Sequence, residues 1–517
     1  MSANRPIPVI DLFAGPGGLG EGFSALGRPE GTPRFKIKLS IEKDPIAHQT
    51  LELRAFFRQF PHDEAPKEYY QHLRGELKRQ ELFNAYPRQA DAARQEAWHE
   101  ELGKADTAIV RGRIHDAIGG EDGWVLIGGP PCQAYSNAGR SRNKGKEGYV
   151  PEDDKRQYLY REYLQIIADH RPAVFVMENV KGLLSATLNN QRIFDGIRED
   201  LAQPAAALRR DGRSVANDHQ DRYQVYSLVS EGNGDNGEVT DYVVRAERYG
   251  VPQARHRIIL LGIRQGAASK RPALLPRHDP IHSSLVLDGL PALRSGLSEG
   301  KDCDDAWLRC LRDALQRRWL RGARNVGGGP VCELIEETLA HLSLPLCRRG
   351  GEFVKAPACS KHEPDWFVDR LLGGVCNHMA RTHMPSDLHR YLYAACFARV
   401  HGRSPNLRDF PKDLLPDHVN VPDALNGGNF ADRFRVQLSC RPSTTITCHI
   451  AKDGHYYIHP DPGQCRSLTV REAARLQTFP DNYFFCGGRT AQYAQVGNAV
   501  PPLMAREIAR IAWETLK

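Results

Sequence analysis

Short, mainly apolar runs separated by longer amphipathic or polar stretches set the rhythm of the first half of the chain. Residues 8–13 are apolar and run into Gly15-Pro16-Gly17-Gly18-Leu19-Gly20, after which residues 21–26 carry a helical pattern ended by Gly27. Strand, turn and helix are predicted in that order. A second strand, residues 36–41, ends at Glu42. Three further buried-strand candidates, residues 124–127, 173–177 and 257–263, each lead into polar or glycine-rich sequence. Their alternation with helical stretches such as residues 158–169 predicts an α/β fold, a mostly parallel sheet covered by helices on both faces. In such sheets ligands bind beyond the carboxyl ends of the strands, so those ends are where chemistry is sought.

Residues 51–106 break the alternation. They are rich in Glu, Arg, Gln and Ala, include Tyr69, Tyr70 and Trp98, and read as a helical insertion in a domain spanning residues 1–263. From residue 264 to 435 the texture changes to proline, arginine, histidine and cysteine with weak periodicity, which predicts a second, irregular domain. Its stretch Arg309, Arg312, Arg317, Arg318, Arg321 and Arg324 is either a phosphate-facing surface or a solvated helix face. Residues 436–517 are expected to return to the first domain, with helices over 467–478 and 499–516.

At 517 residues the chain has room for two or three domains. Hydrophobic residues at 41% and charged residues at 26% suit a globular protein. No apolar run approaches the roughly 20 residues that span a bilayer, and the first strand begins too early for a signal peptide, so a soluble cytoplasmic protein is expected. A net charge of +7 permits a polyanionic partner without establishing one. Cys132 is the first of twelve cysteines, and the rest begin at Cys303, a pattern of reduced thiols rather than of a disulfide framework. Cys359-x-x-His362 and Cys376-x-His378 lack the paired C-x-x-C of a zinc site, so no metal is expected.

The glycine turn and Glu42 fit an adenosine-bearing cofactor, and alone they do not separate NAD, FAD and S-adenosylmethionine. The stretch Gly128-Gly129-Pro130-Pro131-Cys132-Gln133-Ala134-Tyr135-Ser136 narrows the choice. Together with Asp11-Leu12-Phe13-Ala14-Gly15, Glu178-Asn179-Val180, Gln253-Ala254-Arg255-His256-Arg257, Arg471-Glu472-Ala473-Ala474-Arg475-Leu476-Gln477 and Gly497-Asn498-Ala499-Val500-Pro501-Pro502, it resembles the cytosine-5 DNA methyltransferase family, motif by motif and in family order. The motifs lie toward both ends of the chain and leave most of the second domain unmatched.

The resemblance implies a Rossmann-like methyltransferase fold, S-adenosylmethionine as cofactor and double-stranded DNA as partner, with the second domain recognising the target. Carbon 5 of cytosine is too poor a nucleophile to take a methyl group until a thiolate has added to carbon 6. Cys132 is implied as that nucleophile, Glu178 as the acid at ring nitrogen 3, Arg257 as a contact to the base oxygen, and Arg255 as its partner near the nucleophile loop and the DNA backbone. Asn179 is expected to orient that loop. Gln133 and Ser136 are expected to close on the DNA once the base has been rotated out. Phe13, Gly15, Gly17, Glu42, Leu159 and Asn498 are implied as cofactor contacts. One departure stands out: the family's acid for the adenine amino group, often in Gly-Asp-Ile, meets Gly112-Arg113-Ile114 here, which leaves Asp116 as the stand-in. A sister group that methylates transfer RNA shares these motifs, and the large second domain favours DNA. A monomer is expected.

Overall fold

The computed structural model describes residues 5–131, 159–188, 191–216, 219–231, 239–325, 328–357, 359–428 and 430–517. The chain divides into two compact units. Met1–Pro66, Gln80–Asp279 and Ala499–Lys517 form the first, and Lys67–Arg79 with Pro280–Asn498 the second.

The first unit is organised on one sheet of β1 (Ile7–Leu12), β2 (Phe35–Glu42), β3 (Ala97–His99), β4 (Val125–Gly128), β5 (Val174–Val180), β6 (Tyr223–Ser227), β7 (Val243–Arg245) and β8 (His256–Arg264), in the order β3-β2-β1-β4-β5-β8-β6 with β7 beside β8. The pairs β1–β2, β2–β3, β1–β4 and β4–β5 are parallel. β8 runs antiparallel to β5, β6 and β7. The chain winds outward from β1 through β2 to β3 and then returns to β4 on the other side of β1. That reversal opens a crevice at the carboxyl ends of β1 and β4.

Strands buried on both faces explain the unbroken apolar runs. Ile10, Leu12, Leu126, Phe175, Met177 and Leu260 face one core, shared with helices Thr107–Ile118, Leu159–His170 and Ile193–Ala202. Val9, Ile37, Val125, Ile127, Val176 and Leu261 face the other, shared with α1 (Gly18–Ala25) and the carboxyl-terminal helix Pro502–Leu516. α1 lies close on that last helix: a Cβ at Gly22 would sit 2.5 Å from Ala505 Cβ and from the Pro502 carbonyl.

The expected insertion is more than an appendage. Residue 51 already lies within α2 (Pro45–Arg58), the short helix Lys67–Leu73 packs with the second unit, and the segment ends by supplying β3 to the sheet. Arg54 grips Glu21 of α1, and Arg58 pairs with Glu96, all four being at least nine-tenths buried. These two ion pairs join α2 to α1 and to the helix Pro87–Glu96.

The second unit is helical where an irregular texture was expected. Helices Asp304–Arg312, Arg318–Asn325, Gly329–Ala340 and Pro385–His401 pack through Trp307, Leu311, Trp319, Ile335, Tyr391 and Leu392. The unit begins at Pro280 rather than residue 264, and residues 436–498 pack within it. Hydrogen bonds Gln437 to Ile458, Ile458 to Arg435 and Leu468 to Tyr457 hold that segment in place. Only Ala499–Lys517 rejoins the first unit. No helix among the described residues is long and apolar enough to cross a membrane.

Candidate active site

At the end of β1 the backbone turns left-handed at Phe13 (φ 55°), Gly15 (φ 58°) and Gly17 (φ 95°), and Gly17 starts α1. Glycine adopts such angles without strain, whereas Phe13 is held there by its packing on the first core. The Gly15 N–H donates to Glu42 Oε2 at 2.7 Å, and the Asp44 N–H to Glu42 Oε1 at 2.8 Å. Burial pushes the Glu42 carboxyl above the ordinary range, and these two amides partly offset it. Space beside Gly15 is open, since a Cβ there would meet nothing within 4 Å. Leu159 opens the helix Leu159–His170 and touches the position a Cβ would take at Gly103. Asn498 ends the helix Arg489–Asn498 of the second unit with an exposed side chain.

The ends of β4, β5 and β8 carry the second group. In the antiparallel register of β5 and β8, Glu178 lies opposite Ile259, which puts Arg257 diagonally across on the same face. The Arg257 guanidinium meets the Glu178 carboxylate at 2.9 Å, with both side chains about one-seventh exposed. Asn179 points the other way and is buried. Its Nδ2 donates to the Pro130 carbonyl at 3.2 Å, and its Oδ1 accepts from the Val180 N–H. Gly129 keeps the turn against Glu178, because a Cβ there would approach Glu178 Oε2 at 3.1 Å. The acid, the arginine and the anchor for the chain leading to Cys132 therefore meet at one corner of the sheet. Cys132, Gln133 and Ser136 lie outside the described residues.

Arg255 is 1% exposed and donates to the Ala499 carbonyl at 2.9 Å, so it braces the segment that returns to the sheet. Asp116, the proposed stand-in for the missing adenine acid, is exposed on the helix Thr107–Ile118. A second acid next to Glu42 escaped the sequence reading. Glu100 follows directly on β3, is half-buried, and donates its N–H to the Glu42 carbonyl at 3.1 Å, so the two residues are neighbours at the carboxyl ends of β2 and β3. The signal lay in Ala97-Trp98-His99-Glu100, three strand residues and an acid after a helix, but so short a strand has no period to recognise. Arg113, within the helix Thr107–Ile118, stacks 4.5 Å over Trp98.

Among the described residues no group of three His, Cys, Asp or Glu side chains is placed to hold a metal ion. His378 commits both ring nitrogens, to Thr469 Oγ1 and to the Pro291 carbonyl.

The family model described as C-5 cytosine-specific DNA methylase matches residues 97–204 and 387–512. Type II methyltransferase M.Bpa9945I of Bacillus paralicheniformis is 33% identical over 524 residues, covering 97% of each chain. The chain belongs to the C-5 cytosine-specific DNA methylases. Within that family it is also similar to type II methyltransferase M.AgeI of Thalassovita gelatinovora, at 27% identity over 98% of this chain and 99% of the other. DNA (cytosine-5-)-methyltransferase M.ApeKI of Aeropyrum pernix is 28% identical over 77% of this chain and 83% of that relative. A solved structure of a prophage-encoded E. coli protein, assigned to the DNA modification methyltransferases, aligns with a TM-score of 0.51 at 20% identity over 99% of both chains, which extends the likeness to the fold. This methylase is a DNA (cytosine-5-)-methyltransferase.

Proposed function

We propose that this methylase transfers the methyl group of S-adenosylmethionine to carbon 5 of a cytosine rotated out of a specific double-stranded DNA sequence, through a covalent bond between Cys132 and carbon 6. The observation that carries the reading is the Glu178–Arg257 pair beside the Asn179–Pro130 anchor: an acid and a cation are fixed where the chain runs into Cys132.

The Cys132 thiolate adds to carbon 6 of the ring. Electron density moves to ring nitrogen 3, which takes a proton from Glu178, and carbon 5 becomes the nucleophilic end of an enamine. Arg257 holds the Glu178 carboxyl in place and offers its remaining N–H groups to the base oxygen. S-adenosylmethionine, when bound, supplies an electrophilic methyl group and leaves as a neutral thioether. Loss of the carbon 5 proton to a base then expels the thiolate from carbon 6, and the nitrogen 3 proton returns to Glu178.

Phe13, Gly15, Gly17, Glu42, Leu159 and Asn498 would hold the cofactor, with Glu42 on the ribose hydroxyls and Glu100 in place of Asp116 at the adenine amino group. The residues fit that group: the turn is open beside Gly15 and a carboxylate borders it. Arg255 acts as a positioning residue through Ala499. Gln133 and Ser136 close on the DNA, the second unit reads the target sequence, and the chain works as a monomer. As with its type II relatives, the biological setting is the modification arm of a restriction-modification system.

The test is DNA carrying 5-fluorocytosine at the target. Fluorine at carbon 5 is not lost as a proton is, so elimination is blocked and the enzyme should stay attached in a denaturing gel. The adduct should require S-adenosylmethionine and vanish in Cys132→Ser. An undiminished adduct in Cys132→Ser would overturn the assignment of the nucleophile, and no adduct with the unaltered protein would overturn the covalent route.

A further inference from the structure

Three arginines of the second unit converge on one three-residue corner, Ala380-Arg381-Thr382, between the strands Val375–Met379 and Thr382–His383. Arg489 Nη1 reaches the Ala380 carbonyl at 3.5 Å, Arg349 Nη2 donates to Thr382 Oγ1 at 3.0 Å, and Arg381 stacks 4.1 Å over the Tyr493 ring while donating to the Ile450 carbonyl. Their neutralisation is incomplete. Arg349 pairs with Asp302 at 2.7 Å, but among the described residues neither Arg381 nor Arg489 has a carboxylate partner. The nearby Glu352 is taken by Asn377 at 2.8 Å and Gln492 at 3.0 Å. Elsewhere in the unit, more deeply buried arginines pair with acids, Arg466 with Glu472, Arg475 with Asp481 and Arg390 with Asp387, whereas Arg471 is held by the Cys376, Pro480 and Tyr483 carbonyls. Burial holds the Arg489 guanidinium below its ordinary pKa, and the charges of Arg381 and Arg349 add to that while Tyr493 and Glu352 partly offset it.

Like charges packed this closely lower the stability of the free protein, and an anion placed among them relieves the repulsion. We propose that Arg349, Arg381 and Arg489 form a binding site for a backbone phosphate of duplex DNA. Three half-buried guanidiniums with stacked or hydrogen-bonded stems are pre-organised for a phosphodiester, and a site that touches phosphate alone carries no sequence information. It positions the duplex on the second unit. This assignment rests on the reading of the protein as a DNA methyltransferase, and it places one of its DNA contacts.

The rival surface is the arginine ridge. Arg309, Arg318 and Arg321 stand exposed on helices Asp304–Arg312 and Arg318–Asn325, while neighbouring Arg317 and Arg324 pair with Asp313 and Glu336. Among the described residues no ion pair holds those three side chains, the ordinary state of a solvated helix face, and nothing gathers them to a point.

The experiment is a salt titration of binding by the full chain to duplex DNA, with and without the target site, read by fluorescence anisotropy. R381Q/R489Q should bind both duplexes about tenfold more weakly and flatten the slope of log affinity against log salt by about 1. R381K/R489K should recover most of that slope, because the charges are kept. R489Q alone should show about half of the change and serves if the double variant melts early. An unchanged slope in R381Q/R489Q, or a loss confined to R309Q/R318Q/R321Q, would overturn the site. Stabilisation of the unaltered protein but not of R381Q/R489Q by inorganic phosphate, with an unchanged DNA slope, would overturn the duplex as its ligand. Failure of the unaltered protein to form the 5-fluorocytosine adduct strikes instead at the catalytic reading.

Discussion

Replacing Asp11 by asparagine should stabilise the first unit, and by an amount that grows with pH. Asp11 lies in β1 with 1% of its surface exposed. Among the described residues neither carboxyl oxygen meets a hydrogen-bond partner at normal geometry, so the adjacent Gly20 amide offers only partial relief. Arg58, the cation whose charge favours ionisation, is already paired with Glu96 and close to Glu21, and Glu42 adds a negative charge. Burial therefore dominates and raises the pKa from 3.8 to about 8. Between those values the unfolded chain releases a proton that the folded chain keeps, so stability falls as pH rises, by roughly 1.4 kcal/mol per pH unit, and levels off above about 8. From about pH 6 to about pH 7.5 the native protein should lose about 2 kcal/mol through this group alone. Asp11→Asn has no proton to lose. Its amide is equally short of partners, so it should match the protonated acid near pH 4 and exceed the native residue by on the order of 4 kcal/mol at neutral pH. Guanidinium unfolding of both proteins, followed by tryptophan fluorescence across that range, supplies the difference at each pH and cancels every other titrating group. Parallel stability curves would refute the reasoning, because they would mean that the carboxyl is ionised in the folded protein or reaches water.

Glu178→Gln should lower the methyl-transfer rate in single-turnover assays by about 100- to 10,000-fold, the range for loss of a general acid, with DNA affinity changed less than about threefold; a rate within threefold of the native enzyme would remove Glu178 from the chemistry. Gly22→Ala should cost about 1–3 kcal/mol in thermal unfolding, since the new Cβ would sit 2.5 Å from Ala505 Cβ, the Arg506 nitrogen and the Pro502 carbonyl, and α1 would have to lift from the last helix. An unaltered melting curve would show that these helices have room to separate.

What could be read from the sequence was whatever a short window specifies. Residues 8–13, 124–127, 173–177 and 257–263 are mainly apolar because both faces of the sheet are covered there, residues 36–41 alternate with Lys36 and Lys38 exposed, and all five expected strands begin within one residue of an observed one. β5 runs on to Val180, and that extension carries Glu178 and Asn179 on opposite faces of the strand. The strand β3 was missed because three residues show no period, and with it went Glu100. β6 and β7 were missed for a related reason, as edge strands whose exposed positions, such as Gln224 and Arg245, interrupt the apolar run.

Arg255 and Arg257 mark the boundary of sequence reasoning more sharply. They share one motif two residues apart, yet Arg255 is buried against Ala499 and Arg257 faces Glu178 at the crevice. A strand sends alternate residues to opposite faces, so residues at this spacing belong on one face, and the motif alone treats them as equals. Arg255 lies just before β8 begins at His256, outside the ladder that fixes Arg257 opposite Val180. Its direction is set by a partner 244 residues away, the Ala499 carbonyl, and no local pattern encodes that contact. The same holds for the second unit, where the carboxylate partners of Arg466 and Arg475 lie six residues away, but that Arg381 and Arg489 have no carboxylate partner among the described residues becomes visible only after residues 349, 381 and 489 are brought to one corner. Long-range placement is what turns a chain rich in arginine into a few cations that brace the fold and a few that remain free to meet an anion.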